Sequence, residues 1–359
     1  MKNTFMSFTF GCRVNEAEKQ RLDQELLDAG FSWNKKHPDF YIINSCAITG
    51  KAEREVRQHI YQIRKKYPLA KIIATGCSAT LWMKNNTLPT GADHWINNTD
   101  KSSIPSFLSS LAETDTMPSD TKTPDKFLST GRVMIKIQDG CNRFCSYCIV
   151  PFTRGSATSR TIKEIIDEIQ HIKTPVKEII LTAINTEYFG LDTGETLSHL
   201  VDAILTQTKI DLISFGSIHP WSITDEFLSW YKLNKDNPRF VHFFHIPIQS
   251  GSTAILEAMH RPYKKETLLK NLTTIHSINP TALIATDVIV GFPGEGEKEF
   301  EETYQFLESS PITKFHVFRY SPRPGTVAST MKDTVSSQIK RDRSWKLIEL
   351  GKKKMKLTT

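Results

Sequence analysis

Cys141, Cys145 and Cys148 stand at the spacing C-x3-C-x2-C in the run from Asp139 to Cys148. Three thiolates that close on one loop can hold three corners of an iron–sulfur cube, which leaves the fourth iron open to a substrate or cofactor. A structural zinc site wants four protein ligands, and this loop has no fourth Cys or His. The alternative is three buried cysteines acting as small hydrophobes; the polar residues and the glycine around them speak against it. The other three cysteines, Cys12, Cys46 and Cys77, are far apart in sequence, yet each follows a strand-like run: Ser7 to Phe10, Asp39 to Ile43 and Lys71 to Thr75.

The elements between them explain why that matters. Asn15 reads as the N-cap of a helix over 16–29, with Gly30 just past its end, and Thr49 to Tyr67 reads as a second helix with Val56, Ile60 and Ile63 on one face. The alternation is βαβαβ, so a parallel sheet is expected, with right-handed crossovers placing all carboxyl strand ends on one edge. Cys12, Cys46 and Cys77 are therefore expected to converge there, exposed, where open α/β sheets bind ligands; the alternative is that one or two are core cysteines. Residues 112–128 are polar, proline-bearing and aperiodic, a linker. Strands near 132–138, 178–184, 212–218, 243–248, 283–291 and 314–320 then alternate with helices near 161–173, 196–207, 224–233, 253–260, 264–277 and 297–309, which suggests a barrel or partial barrel with its site at the carboxyl strand ends. The Cys141 loop, Asn185, Ser217, Gln249 and the Gly291 and Tyr320 loops fall at or near such ends. Each loop taken singly is as well explained as an ordinary turn.

Length and composition set the bounds. The chain has 359 residues, about two domains, and 39% hydrophobic residues supply a core. No apolar run approaches the length that spans a bilayer, and no secretory leader is evident, so a cytoplasmic protein is expected. Six cysteines in such a chain point to metal binding or catalysis rather than disulfides. The formal charge of +7 is a mild hint of a polyanionic partner. The basic run from Lys340 to Lys356 reads as a solvated helix face or a phosphate-contacting one; the helix bearing Arg54, Arg57, Arg64 and Lys65 is a second candidate phosphate contact.

With Tyr147 just before the last cysteine, the Cys141 loop resembles the radical S-adenosylmethionine (SAM) superfamily. The resemblance implies that the open iron would chelate the amino and carboxylate groups of SAM and that an electron from the cluster would release a 5′-deoxyadenosyl radical. Tyr147 would lie against the SAM adenine, and Asn185, Ser217, Gln249 and Asp287 become candidates for further SAM contacts. The whole chain is similar to the radical SAM methylthiotransferases, in segments that include Gly11 to Glu16, Ile43 to Cys46, Thr75 to Cys77, Ile135 to Cys141, Pro151 to Gly155, His245 to Gly251, Thr286 to Glu295 and Phe318 to Thr326. In that family the first trio, here Cys12, Cys46 and Cys77, holds a second cluster that carries or donates sulfur. The implied cofactors are two 4Fe–4S clusters and SAM; the implied partners are tRNA, an electron donor such as flavodoxin or ferredoxin, and a sulfur donor, with no membrane.

The expected fold is thus α/β: an N-terminal parallel-sheet βαβ domain over 1–111, a linker over 112–128, a radical SAM (β/α)6 partial TIM barrel over 129–330 and a basic C-terminal helix over 331–359. Two departures from the family stand out. No small RNA-gripping β-barrel is evident before Thr359, and Ala183 stands where a glycine is expected. Around the first cysteine the run Gly11 to Glu18 is most similar to the branch that methylthiolates C2 of N6-threonylcarbamoyladenosine beside the anticodon of tRNA; the isopentenyladenosine branch more often has Gln-Met-Asn there and the protein-modifying branch Pro-Lys-Asn. The threonylcarbamoyl group carries a carboxylate, so its site should present a cation, with Arg323 the first choice and Arg319 or Arg13 the others. The alternatives are isopentenyladenosine in tRNA, a ribosomal-protein side chain, or a degenerate RNA- or iron–sulfur-binding protein without turnover.

Overall fold

The computed structural model describes residues 3–112, 131–172, 175–332 and 334–356, so the expected linker lies, but for Ala112, outside the described residues. The chain divides into two compact units, Met1–Lys136 with Ile149–Ser156, and Ile137–Cys148 with Ala157–Thr359.

The first unit runs β1 (Thr4–Thr9), α1 (Arg13–Asp28), β2 (Ser32–Trp33), β3 (Phe40–Ser45), α2 (Gly50–Lys66), β4 (Lys71–Gly76), α3 (Cys77–Lys84), β5 (His94–Trp95), α4 (Ile104–Leu111) and, later in the chain, α5 (Val150–Arg154). Its sheet has the order β2-β1-β3-β4-β5, every pairing parallel. Successive strand residues face opposite sides. So Tyr41 and Ile43 meet Val56, Ile60 and Ile63 of α2 on one side, while Phe40 and Ile42 meet Leu22 and Leu26 of α1 and Ile104 and Leu108 of α4 on the other. All six residues of β3 are consequently buried, and each large apolar side chain so placed stabilises the unit by about 1.5–3 kcal/mol. Thr49 caps α2 by accepting from the Ala52 N–H at 3.1 Å. The expected cap at Asn15 is corrected. The helix starts earlier, at Arg13, and Asn15 is buried inside it, donating to the Phe10 and Ser45 carbonyls at 2.8 and 3.2 Å. It ties the cysteine loop to the end of β3 instead of starting a helix.

The second unit holds the end of β6 (Arg132–Asp139), then β7 (Thr158–Ser159), α6 (Ile162–Gln170), β8 (Glu178–Ala183), α7 (Leu197–Gln207), β9 (Leu212–Phe215), α8 (Asp225–Asn234), β10 (Phe243–His245), α9 (Thr253–Ala258), α10 (Lys265–Ile278), β11 (Leu283–Val290), α11 (Glu297–Ser309), β12 (Lys314–Arg319) and α12 (Ser337–Lys356). Two sheets, β7-β6-β8-β9 and β10-β11-β12, are joined by a parallel bridge from Ile213 to Phe240. The long strands therefore follow in chain order, β6-β8-β9-β10-β11-β12, the (β/α)6 partial barrel of the expectation, with β7 an antiparallel addition beside β6. The strands expected at 212–218 and 243–248 end sooner, at Phe215 and His245; Pro247 has no N–H to extend the ladder.

The cations of α12 are partly committed to the fold. Arg343 is buried against Glu295 at 2.7 Å, and Lys354 donates to the Leu307, Glu308 and Ser310 carbonyls at the end of α11. Arg64 of α2 likewise pairs with Asp93 and donates to the Gly91, Pro68 and Ala70 carbonyls. The expectation that these runs are simply available to phosphate is corrected to that extent; Lys352 and Lys353 remain exposed.

One buried carboxylate organises the cations of the first unit. Glu18 receives Arg154 at 2.9 Å, Lys136 at 2.9 Å and Lys101 at 2.5 Å. Burial alone would raise its pKa, but the three positive charges outweigh burial and hold it well below the usual 4.5. That stabilisation is present above the ordinary carboxylate pKa and is lost as pH falls through the lowered one. Glu18→Gln should therefore destabilise the protein by about 3–5 kcal/mol at neutral pH, since it strands three cations. In thermal melts the gap from wild type should shrink as the pH is taken below 4.5.

Candidate functional site

In the first unit, parallel pairing sets the ends of β1, β3 and β4 side by side. Cys12 follows β1 after Gly11, Cys46 comes directly after β3, and Cys77 opens α3. The three are close together: Cys46 feels the charges of Cys12 and Cys77, and Cys12 that of Cys77. The expectation that they stand exposed is corrected, because Cys46 and Cys77 are only 3% and 6% exposed. Ala47, Ile149 and Leu81 pack around Cys77. Two glycines make the arrangement possible. Gly11 has φ +96°, and a Cβ there would overlap the Cys46 sulfur; Gly76 has φ +94°, and a Cβ there would overlap the Ser45 backbone. Burial pushes the Cys46 thiol up to about 12 and raises Cys12 as well, with Arg154 pulling the other way on both. Three soft sulfur donors, gathered out of water beside an arginine, fit an iron–sulfur group, whose own charge would deprotonate them.

In the second unit, the loop carrying Cys141, Cys145 and Cys148 is fastened at several points. Gln138 donates to the Asp139 and Gly140 carbonyls and accepts from the Asn185 N–H at 2.9 Å. Ser146 is buried; its N–H donates to the Met259 carbonyl and its hydroxyl to the Ala258 carbonyl, and it accepts from the Ala328 N–H. Phe144 sits at φ +48°, a left-handed conformation that non-glycine residues adopt reluctantly, and it is exposed. Donors point at the sulfurs: the Arg143 N–H lies 3.5 Å and the Asn185 amide 3.7 Å from Cys141 Sγ, and an Arg261 guanidinium nitrogen lies 3.7 Å from Cys145 Sγ. This donor set suits thiolates, and the loop fits the same kind of group.

Arg261 is buried, with its guanidinium 4.3 Å above the Trp221 ring. It also donates to the Pro247 carbonyl at 2.7 Å and the Tyr263 hydroxyl at 3.0 Å, and reaches the Tyr147 hydroxyl at 3.5 Å. Tyr147 thus lies beside the cysteine loop, its phenol kept protonated by burial despite that arginine. Arg143 lies 5.1 Å from the same Trp221 ring and is itself paired with Glu187. Trp221 donates to the Asn185 side chain at 2.9 Å. Further round the barrel, Ser217 and Asp287 are linked through a residue that sequence reading did not single out. Ser217 Oγ lies 3.0 Å from His245 Nδ1, and His245 Nε2 lies 2.9 Å from Asp287 Oδ1. The same oxygen meets His316 Nδ1 at 3.1 Å. Burial favours the protonated acid, but the two imidazoles prevail and hold Asp287 down to about 2. Gln249 also has a left-handed backbone, φ +69°, from which its N–H donates to the Asp287 carbonyl and its carbonyl accepts from the Ile289 N–H, both at 2.9 Å.

Of the expected site residues, then, the structure joins Asn185 and Tyr147 to the cysteine loop, and Ser217, Gln249 and Asp287 to one another's strands. Arg13 begins α1 in the first unit, partly buried. Arg323, expected at an open mouth, is 4% exposed in the turn after β12, where Thr326 folds back onto its carbonyl. Ala183 ends β8, buried. Sequence reading missed Gln138, Ser146, Trp221, His245, Arg261 and His316. The one available signal was an arginine in the short turn from Met259 to Tyr263.

The barrel and its cysteine loop define a radical SAM enzyme. The radical SAM superfamily profile matches residues 135–307, and that of the uncharacterized protein family UPF0004 matches residues 4–93. The chain is 33% identical to the threonylcarbamoyladenosine tRNA methylthiotransferase MtaB of Aquifex aeolicus, over 96% of this chain and 87% of that protein. It is 34% identical to its namesake in Thermotoga maritima, over 93% and 79%. It is also 32% identical to a tRNA-2-methylthio-N(6)-dimethylallyladenosine synthase of Protochlamydia amoebophila, over 96% and 80%. In fold it is similar to the radical S-adenosylmethionine methyltransferase TsrM from Kitasatospora setae, with a TM-score of 0.64 at 12% identity over 92% of this chain and 77% of that one. The chain belongs to the radical SAM methylthiotransferase family, whose members work with SAM and 4Fe–4S clusters. Among the described residues no helix is long and apolar enough to cross a membrane.

The Gly11 cradle can be tested directly. Gly11→Ala should displace Cys46 and strip the first trio, so that iron bound after anaerobic reconstitution falls by roughly half, as expected when one of two four-iron clusters is lost. Circular dichroism of the variant should stay close to wild type.

Proposed function

We propose that this chain methylthiolates C2 of N6-threonylcarbamoyladenosine beside the anticodon of tRNA, as a cytoplasmic enzyme served by an electron donor such as flavodoxin or ferredoxin. The observation that carries the reading is the gathering of all six cysteines into two trios, one at the strand ends of each unit, in a chain whose relatives are named for this modification over most of their length. When bound, the group on Cys141, Cys145 and Cys148 supplies the electron that cleaves SAM, and the group on Cys12, Cys46 and Cys77 supplies sulfur. The protein's own residues do the holding. Ser146 and Gln138 fix the loop, and Arg261 keeps a positive charge against Cys145 and a hydroxyl-bearing wall of Tyr147 and Tyr263 around it. Arg154 offers the matching charge beside Cys12. Hydrogen abstraction from an aromatic carbon needs a very reactive oxidant, which suits a walled barrel better than open water.

The relatives named for dimethylallyladenosine favour one second reading, an isopentenylated adenosine as substrate. The test offers the reconstituted protein both tRNA types and reads nucleosides by mass spectrometry. Product only from the threonylcarbamoyl substrate supports the proposal; product only from the isopentenyl substrate overturns it. The two trios should separate cleanly. Replacing Cys141, Cys145 and Cys148 by Ala should abolish SAM cleavage, whereas replacing Cys12, Cys46 and Cys77 should leave cleavage and stop thiolation. A wild type that binds only about four irons would refute the two-cluster arrangement.

A further inference from the structure

Three adjacent strands of the partial barrel each send one metal-binding side chain to a common point. His245 ends β10, Asp287 lies in β11 and His316 in β12, and Asp287 and His316 are register partners across the β11–β12 ladder. Phe315 lies against Gly351 of α12, so its neighbour His316 faces the opposite way, into the barrel. His245 Nε2 and His316 Nδ1 stand 2.9 and 3.1 Å from the same oxygen, Asp287 Oδ1. One ligand atom of each residue lies within 4.8 Å of the others, and the two imidazole rings are 5.4 Å apart, centre to centre.

Ligands on a tetrahedral zinc with bonds of about 2.0–2.1 Å stand about 3.3 Å from one another. The separations here are slightly shorter, and His316, whose side chain is 40% exposed, has room to give way. The rear of the site is already built. Ser217 Oγ holds His245 Nδ1 at 3.0 Å, the kind of outer partner that fixes the ring and tautomer of a metal-bound histidine. Asp287 spends one oxygen on both imidazoles, and its Oδ2 has no partner among the described residues. Two imidazoles and a carboxylate, with no thiol among them, are a donor set for zinc or non-haem iron.

We propose that His245, Asp287 and His316 bind a divalent transition-metal ion of the zinc type inside the barrel, with a position left open. Three protein ligands and an open position are the arrangement in which zinc takes up a water or an anionic oxygen, in contrast to the closed four-ligand structural site. The ion would be a third metal centre, apart from the two cysteine trios, and its presence does not depend on which tRNA base is modified. It would also tie β10, β11 and β12 to one another through their inward side chains.

The experiment adds zinc to the full chain after anaerobic reconstitution has filled both cysteine trios, so that no thiol competes. After removal of loosely held metal, wild type should retain one zinc per chain. X-ray absorption at the zinc edge should then show nitrogen and oxygen at about 2.0–2.1 Å and no sulfur at about 2.3 Å. Affinity is read by competition with a chelating dye. Ser217→Ala should weaken it about tenfold, at the low end of the roughly 10–100-fold cost of removing the group behind a histidine ligand. His316→Ala and Asp287→Asn remove ligands themselves and should each weaken it by roughly 100-fold or more. Wild type that retains no zinc, zinc held only on sulfur, or unchanged affinity in His316→Ala and Asp287→Asn would overturn the proposal and leave the three side chains a hydrogen-bonded network.

Discussion

A thiol taken out of water holds its proton more tightly, and Cys12, Cys46 and Cys141 all do so here. Much of the rest of the structure answers that pressure. A parallel sheet brings strand ends together, so sulfur atoms distant in sequence share one pocket and one counter-charge. In the first unit that charge is Arg154, which Glu18 and Asn15 hold in place. In the second it is Arg261, whose remaining nitrogens are occupied by Pro247 and Tyr263. Neither arginine is a surface residue that happens to lie nearby. Each is buried, fully engaged and costly to remove.

The architecture was legible because it rests on periodicity. Alternating apolar strands with amphipathic helices between them, turned by Thr49 or ended before Pro68, leave few arrangements open, and parallel order then forces the cysteines to one edge. Burial of those cysteines was not legible. It depends on Ile149, which is far away in sequence and packs beside Cys77, and on two glycines whose role shows only once their φ angles are known. The supporting polar residues were hidden for a related reason. Ser146, Gln138 and Arg261 look like ordinary loop residues until their partners, 112 positions away for the Ser146 hydroxyl, are in place. His245 and His316 carry no spacing signal because they sit on different strands and come together only in the folded sheet, on either side of Asp287 with ring centroids 5.4 Å apart. Arg323 misled in the opposite sense: a proline-flanked arginine reads as exposed, yet the turn from Arg323 to Thr326 tucks it in.

The basic tail shows how composition can overstate a surface. A run of lysines and arginines counts equally in a charge total whether it faces solvent or not. Here Arg343 neutralises a buried glutamate, and Lys354 closes the last turn of a neighbouring helix. Lys340 is buried as well, over the Tyr320 ring, so the helix works first as a strut for β12 and α11, and exposed cations such as Lys352 and Lys353 are what it offers a polyanion.

The tight fit around Gly11 and Gly76 also limits how this site can evolve. At Gly76 the obstacle to any side chain is the Ser45 backbone, which cannot swing aside, whereas at Gly11 it is the Cys46 side chain itself. A lineage that keeps the first trio is therefore held to glycine at both positions, at Gly11 by the sulfur-bearing side chain and at Gly76 by the neighbouring strand. One that gives up Cys46 loses the clash at position 11, where the left-handed φ of +96° still disfavours a side chain, and stays blocked at 76. Substitution at Gly11 is accordingly less costly once the neighbouring cysteine is gone, whereas at Gly76 the cost is the same with or without it.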